Sequence, residues 1–175
     1  MGWTFTHREK GTTNLDWFRR EFTGGGGEII DMATKGMTAY GAYRTRSGEV
    51  RALVILTRWV PKDYYNFGYK DMDESVGPSD DDCPKRIYDL LTPLTDSDNE
   101  WSAEWRKRVE ERLNRPKVTK GMRVRFPAWR YTGGDYGVLT YLGGKGRNLF
   151  LTEWGQRVRF TAWRSGPYEV VDTNA

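Results

Sequence analysis

An eight-residue segment occurs twice in the last third of this chain. Residues 123–130 read Arg-Val-Arg-Phe-Pro-Ala-Trp-Arg, and residues 157–164 read Arg-Val-Arg-Phe-Thr-Ala-Trp-Arg. A β-strand directs successive side chains to opposite faces, so each copy predicts a strand with arginines on one face and Val and Phe on the other. The repeat therefore predicts two short strands that are basic outside and apolar inside.

The glycines around these two copies separate further strand segments. The five predicted strands are 122–127, 136–142, 147–153, 156–161 and 168–171. Short strands at such spacing are typical of a small antiparallel barrel. We therefore predict a five-stranded SH3-like β-barrel over residues 118–172, in which the repeated segment supplies two separate strands.

Residues 1–114 predict an α+β domain. The strand-like segments are 37–45, 50–60 and 64–72, and the helix-like segments are 13–22, 84–94 and 98–114. Residues 52–56 are all apolar, which indicates a central strand covered on both faces. The four glycines at 24–27 are interpreted as a flexible connector. The predicted fold class is thus α+β, an N-terminal antiparallel sheet of three strands with about three helices, followed by the small five-stranded SH3-like β-barrel.

The charge distribution is uneven along the chain. Residues 115–175 contain 11 Lys or Arg and 4 Asp or Glu, a net charge of +7, although the whole chain carries only +4. Residues 71–104 contain 11 acidic and 2 basic residues, a net charge of −9. A basic region attracts nucleic acid or an acidic protein surface, and an acidic region attracts a basic protein. Two solvated faces without a charged partner are the alternative.

The first candidate site is the basic face of the predicted barrel. Guanidinium groups bind phosphate through paired hydrogen bonds, and exposed aromatic rings stack on bases. The residues predicted to bind nucleic acid or another partner are Arg123, Arg125, Arg130, Lys145, Arg147, Arg157, Arg159, Arg164, Trp129 and Trp163. For the two tryptophans, burial in the core is the alternative.

The second candidate site is the acidic segment. The residues predicted to contact a protein partner are Asp80, Asp81 and Asp82. Closely spaced carboxylates imitate DNA phosphates toward a basic host protein, whereas a solvated acidic loop is the structural alternative. A separate catalytic hypothesis uses Asp71, Asp73, Glu74 and Lys70. Carboxylates bind Mg²⁺, so this set would belong to a metal-dependent nuclease or phosphodiesterase.

Other catalytic chemistry has little support in the sequence. His7 is the only histidine and Cys83 the only cysteine, which excludes an intrachain disulfide and any zinc site built from several Cys or His ligands. We predict no cofactor and no resident metal. The chain has no apolar run of about 18 residues and no secretory signal, so we expect a cytoplasmic protein without membrane contact.

One long motif resembles a known family. Residues 67–74 read Phe-Gly-Tyr-Lys-Asp-Met-Asp-Glu, and Gly-Pro at 77–78, Cys-Pro at 83–84 and Glu-Trp-Arg at 104–106 follow it. Together these segments resemble an uncharacterised protein family of bacteria that is often borne by phages and plasmids, over roughly residues 1–113. The resemblance implies a mobile-element origin and no particular activity.

These patterns predict a non-enzymatic binding protein of a phage or plasmid, whose basic barrel engages nucleic acid or an acidic protein face. Two alternatives stay open. One is an inhibitor of a host defence system, of the anti-restriction or anti-CRISPR type, that acts through the acidic segment. The other is the metal-dependent nuclease or phosphodiesterase.

Overall fold

A computed structural model of the chain describes residues 3–7, 16, 19, 27–59, 66–127, 136–144, 148–161, 163–165 and 168–171. The chain divides into two compact units, Met1–Asn114 and Arg115–Ala175, which we call the N-terminal and C-terminal units. None of the helices in the described ranges has the length and apolar character needed to span a lipid bilayer.

The N-terminal unit contains one antiparallel sheet. Its strands are β1 (Thr4–His7), β2 (Glu28–Lys35), β3 (Thr38–Arg44), β4 (Val50–Trp59) and β5 (Asn66–Asp73). They lie in the order β1-β5-β4-β3-β2, and every neighbouring pair is antiparallel. The four β4 residues at positions 52–55 are all buried, so the predicted central strand with both faces covered is confirmed.

Two α-helices pack on one face of this sheet, α1 (Lys85–Tyr88) and α2 (Glu100–Leu113). The Asn99 side chain accepts a hydrogen bond from the Ser102 backbone N–H and so caps α2. The core on this face consists of Tyr40, Ala42, Ala52, Val54, Cys83, Ile87, Trp105 and Val109. A second buried cluster on the opposite face contains Met32, Ala39, Leu53 and Ile55. Burial of both faces explains why β4 is continuously apolar.

A short 3-10 helix, Glu74–Val76, follows β5 directly. The Asp73 carboxylate caps it by accepting hydrogen bonds from the backbone N–H groups of Ser75 and Val76, at 2.9 and 3.1 Å. Gly77 ends it with φ of 64°. This left-handed conformation costs about 1–2 kcal/mol for a residue that has a Cβ atom.

Substituting Gly77 with alanine is expected to destabilise the N-terminal unit by more than this conformational cost alone. A Cβ at Gly77 would lie 3.1 Å from Cε3 of Trp101, so the ring must move. The control is Gly36→Ala, because Gly36 has a similar φ of 59° and open space where the new methyl group would lie. Urea midpoints followed by circular dichroism measure both losses. Equal losses would show that the Trp101 ring gives way at no cost.

The predicted three-stranded sheet with about three helices is wrong. The sheet has five strands, and the described ranges contain two α-helices besides the single helical residues Asp16 and Arg19. The sequence concealed β1 and β2 because both are edge strands, and Met32 is the one fully buried side chain of β2. The predicted helix at 84–94 is reduced to α1, which ends before Leu90. Apart from Asp16 and Arg19, the predicted helix at 13–22 lies outside the described residues.

The C-terminal unit contains a second antiparallel sheet with shorter strands. They are β6 (Arg123–Arg125), β7 (Val138–Gly143), β8 (Leu149–Leu151), β9 (Arg157–Arg159) and β10 (Glu169–Val171). Their order is β10-β6-β7-β8-β9. One face packs into an aromatic core of Val124, Phe126, Leu139, Tyr141, Phe150 and Trp163. Trp163 belongs to a 3-10 helix, Trp163–Ser165, that follows β9.

The predicted SH3-like barrel is also wrong. Pairing among the described residues ends at β10 on one side and at β9 on the other, so the sheet is open. The glycine spacing predicted five short strands correctly, but closure depends on strand tilt and on the stagger between strands. Neither property is visible in a pattern of apolar residues and turns.

Candidate functional site

The two copies of the repeated segment form equivalent strands of the C-terminal sheet. The first copy contains β6, in which Val124 is fully buried, and the second contains β9, in which Val158 packs against the same core. The rings of Phe126 and Phe160 follow these strands and lie 5.4 Å apart between centroids. Since Val and Phe point into the core in both copies, the arginines that alternate with them point to the opposite face.

The strand register shows how this opposite face is arranged. Arg123 lies opposite Thr140 on β7, Thr140 opposite Leu151 on β8, and Leu151 opposite Arg157 on β9. We call this side of the sheet the outer face, and its members include Arg123, Arg125, Thr140, Leu149, Leu151, Arg157, Arg159 and Glu169. Two strands separate β6 from β9, so the two arginine pairs are roughly 14 Å apart.

Three of the four repeated arginines form no ion pair with another described residue, although Glu169 lies opposite one of them, Arg125, in the strand register. Arg123 Nη2 forms an ion pair with Glu153 Oε1 at 2.8 Å. Arg125, Arg157 and Arg159 are exposed, and within the described ranges no carboxylate forms an ion pair with them. A guanidinium keeps its charge at any physiological pH and presents paired N–H donors. The outer face therefore presents exposed guanidinium groups, most clearly the two on β9.

Other predicted residues of this site have different positions. Trp163 is 1% exposed, so its ring belongs to the core and does not offer a surface to a base. The Arg164 guanidinium lies 4.7 Å from the centroid of that ring and donates from Nη2 to the Tyr141 hydroxyl at 3.2 Å. This places Arg164 beside the aromatic core. Four predicted residues lie outside the described part of the chain: Trp129, Arg130, Lys145 and Arg147.

Sequence reasoning missed one exposed aromatic residue, Trp154, in the turn between β8 and β9. Its side chain is 64% exposed, the highest value among the described large apolar residues. The only signal in the sequence was its position next to Gly155, since a large aromatic beside a turn glycine has less chance of reaching a core. The repeat drew attention to Trp129 and Trp163 instead.

The acidic loop of residues 80–82 is held by contacts within the N-terminal unit. Asp80 accepts hydrogen bonds from the hydroxyl groups of Tyr40, at 2.6 Å, and Thr38, at 3.0 Å. Burial, and then this hydrogen bond to Asp80, raise the pKa of Tyr40. Asp81 pairs with Arg112 at 2.8 Å, and Asp82 pairs with both Lys35 and Arg112. These contacts fix the loop against β3 and α2.

The residues of the catalytic hypothesis are Lys70, Asp71, Asp73 and Glu74, and three of them, the carboxylates, have different surroundings in the fold. Glu74 is 2% exposed and accepts hydrogen bonds from Arg106 Nε at 2.6 Å and from the Ala52 backbone N–H at 2.6 Å. Asp73 caps the 3-10 helix, and Asp71 is exposed on β5. In the part of the chain that the structure describes, no three His, Cys, Asp or Glu side chains are grouped to hold a metal ion.

Cys83 is buried in the core beside α1. Its thiol lies 3.7 Å from the Pro84 carbonyl oxygen, and burial raises its pKa to about 12. The thiolate is the nucleophilic form of cysteine, so Cys83 has the properties of a structural residue.

Comparison of the chain with protein-family models, with curated proteins and with solved structures gave no match. The resemblance carried by residues 67–74 therefore stays a prediction. The function of the chain has to be inferred from the geometry of the outer face.

Proposed function

We propose that this protein is a non-enzymatic nucleic-acid-binding protein that uses the outer face of its C-terminal sheet. The observation that carries this proposal is the position of the repeated arginines. Both copies of the segment direct their arginines to one side of one sheet, and three of the four are exposed. The net charge of +7 on residues 115–175 adds a longer-range attraction for phosphate.

The chemistry of the outer face favours contacts to the phosphate backbone. Arginine binds phosphate through two parallel hydrogen bonds, and each neutralised phosphate releases condensed counterions. Arginines on two strands that are roughly 14 Å apart match a chain of charges better than a single anion. We therefore expect binding with little sequence preference and a strong dependence on salt concentration.

The two alternative functions have weaker support in the geometry. An inhibitor that imitates DNA needs free carboxylates, whereas Asp81 and Asp82 form ion pairs with Arg112. A metal-dependent nuclease needs open carboxylates, whereas Glu74 is buried against Arg106. The resemblance of residues 67–74 supports a mobile-element protein that acts in the bacterial cytoplasm.

The test compares two double variants that each remove two exposed positive charges. Arg157→Ala/Arg159→Ala changes the outer face, and Arg46→Ala/Lys107→Ala changes the N-terminal unit. Binding of a labelled oligonucleotide is measured by fluorescence anisotropy over a salt series. The first variant is expected to reduce the slope of log K against log salt by roughly 1.4–1.8, because about 0.7–0.9 ions are released per phosphate contact. The second is expected to leave the slope unchanged.

Two outcomes would contradict the proposal. One is the absence of binding by the natural protein at low salt. The other is an equal loss in both double variants, which would assign the binding to net charge alone and not to the outer face.

A further inference from the structure

The β8–β9 turn holds Trp154 in a defined position. The Thr152 backbone N–H donates to the Gln156 carbonyl at 2.9 Å, and the Gln156 N–H donates to Thr152 Oγ1 at 2.9 Å. The Gly155 N–H donates to the Thr152 carbonyl at 3.0 Å. Thr152 itself is buried. Hydrogen bonds among Thr152, Gly155 and Gln156 therefore hold the turn, and none of them involves the indole of Trp154.

The Trp154 ring has little part in the packing of the described structure. It is 64% exposed, and its Nε1 lies 3.4 Å from Gln156 Oε1, the long end of the hydrogen-bond range. Within the described residues no other ring stacks on it. Isolated exposed apolar residues are common on proteins, so exposure alone decides nothing. The position of the Trp154 ring relative to the charged residues around it says more about its role.

Trp154 lies in the turn that leads into β9, close in sequence to charged residues of the C-terminal sheet. The preceding residue, Glu153, forms the ion pair with Arg123 of β6. Arg157 follows three residues later, opposite Leu151. Three residues of chain span at most about 10 Å, so one bound nucleotide segment can reach both the ring and the guanidinium. An exposed ring and the exposed arginines of β9 are therefore close along the chain, and hydrogen bonds fix the backbone of the turn between them.

This combination distinguishes between the forms of nucleic acid. In a duplex the bases are stacked inside and their faces are closed to a surface ring, so an exposed tryptophan contributes little. In a single strand the bases turn outward, and aromatic stacking adds to phosphate contacts without sequence preference. An acidic protein surface would pair with the arginines and can also cover a tryptophan, because tryptophan is enriched in protein interfaces, so the test includes competition by an acidic polypeptide.

We propose that the outer face binds single-stranded nucleic acid, with a base stacked on Trp154 and the phosphates paired with Arg125, Arg157 and Arg159. This inference rests on the proposed function and narrows its ligand. In this proposal the tryptophan and the arginines of the outer face have different roles. The ring selects unpaired strands, and the guanidinium groups supply most of the salt-dependent attraction.

The test uses the full chain and a labelled oligothymidylate of about 12 nucleotides, alone and annealed to oligodeoxyadenylate. Trp154→Ala is expected to weaken single-strand binding by about 10-fold or more while the salt slope stays the same. Trp154→Phe, which keeps a stacking ring, is expected to retain most of the affinity. The matched control is Trp101→Ala, which removes a 54% exposed tryptophan from the N-terminal unit. Circular dichroism verifies that each variant is folded.

The outcomes separate the two proposals. If Trp154→Ala binds the single strand as tightly as the natural protein while Arg157→Ala/Arg159→Ala does not, the stacking inference fails and the proposed function stands. Tighter binding of the duplex, or displacement of the oligonucleotide by polyglutamate at equal charge concentration, would also overturn the inference. If the natural protein binds no oligonucleotide at low salt, the proposed function fails as well.

Discussion

Replacing Glu74 with alanine is expected to lower the free energy of unfolding of the N-terminal unit by about 3–5 kcal/mol. The Glu74 carboxylate lies between β4 and α2, where it accepts bonds from Arg106 Nε at 2.6 Å and Nη2 at 3.1 Å. Arg106 is buried too, and its Nη1 donates to the Thr92 carbonyl at 2.5 Å. Removal of the carboxylate leaves a buried guanidinium without its counter-ion. It also removes the acceptor of the Ala52 backbone N–H.

A double variant that replaces both members of the ion pair distinguishes this effect from a simple loss of packing. Replacement of a buried ion pair by apolar residues of similar size is often neutral or stabilising. Glu74→Leu/Arg106→Met is therefore expected to be much more stable than Glu74→Ala. Urea denaturation followed by circular dichroism measures each variant. A loss below about 1 kcal/mol for Glu74→Ala would contradict the burial of this pair, because exposed pairs contribute about that amount.

Trp163→Ala is expected to unfold the C-terminal unit. The Trp163 ring lies 5.2–6.0 Å, between centroids, from four other rings: Phe126, Tyr141, Phe150 and Tyr168. Truncation of a buried tryptophan costs about 3–5 kcal/mol. A single core in a domain of about 60 residues rarely supplies more than that amount, so little stability would remain. Amide spectra of the labelled chain are expected to lose the dispersed signals of residues 115–175 and to keep those of the N-terminal unit.

Phenylalanine substitutions provide the matched control for this prediction. Trp163 Nε1 is buried and has no hydrogen-bond partner in the described part of the chain, so Trp163→Phe removes an unpaired donor. Trp105 Nε1 donates to the Asp80 carbonyl at 2.8 Å, so Trp105→Phe leaves that acceptor without its partner. The second change is expected to cost about 1 kcal/mol more than the first. Survival of dispersed signals for the C-terminal unit in Trp163→Ala would contradict the central position of this ring.

Strands could be predicted from the sequence where the order of polar and apolar side chains shows which strand faces are buried. Alternation of Arg with Val and Phe predicted β6 and β9, and the continuous apolar run predicted β4 as a buried central strand. The strands β1 and β2 were not predicted because they are edge strands, and most side chains of β2 are not fully buried. Edge strands are stabilised by pairing along one side, and backbone pairing leaves no mark in side-chain identity.

The candidate site shows the same limit. The alternation of side chains predicted that the repeated arginines share one face, and the register places them there. Among the tryptophans, however, identity did not separate the buried Trp163 from the exposed Trp154, because both are large apolar residues near strand ends. Their burial depends on packing against distant strands. Sequence spacing contains no information on that packing.

Charge counting along the chain also does not show which acidic residues have partners within the fold. The acidic segment has a large net charge when it is read in sequence, and this suggested a surface for a basic partner. In the fold, Arg112 approaches the loop from α2 and Lys35 approaches it from β2. Long-range ion pairs of this kind join residues that are tens of positions apart, so they appear only when the chain is folded.

The two arginines of β9 also affect how the edge of the C-terminal sheet can pair with another molecule. Within the described pairing, β9 has a neighbour on one side only, and it is three residues long with an arginine at each end. A bare sheet edge is a template for the strand of another molecule, and charged side chains on a short edge strand discourage that growth. Arg157 and Arg159 thus place positive charge at both ends of a short edge strand, an arrangement that opposes edge-to-edge pairing between copies.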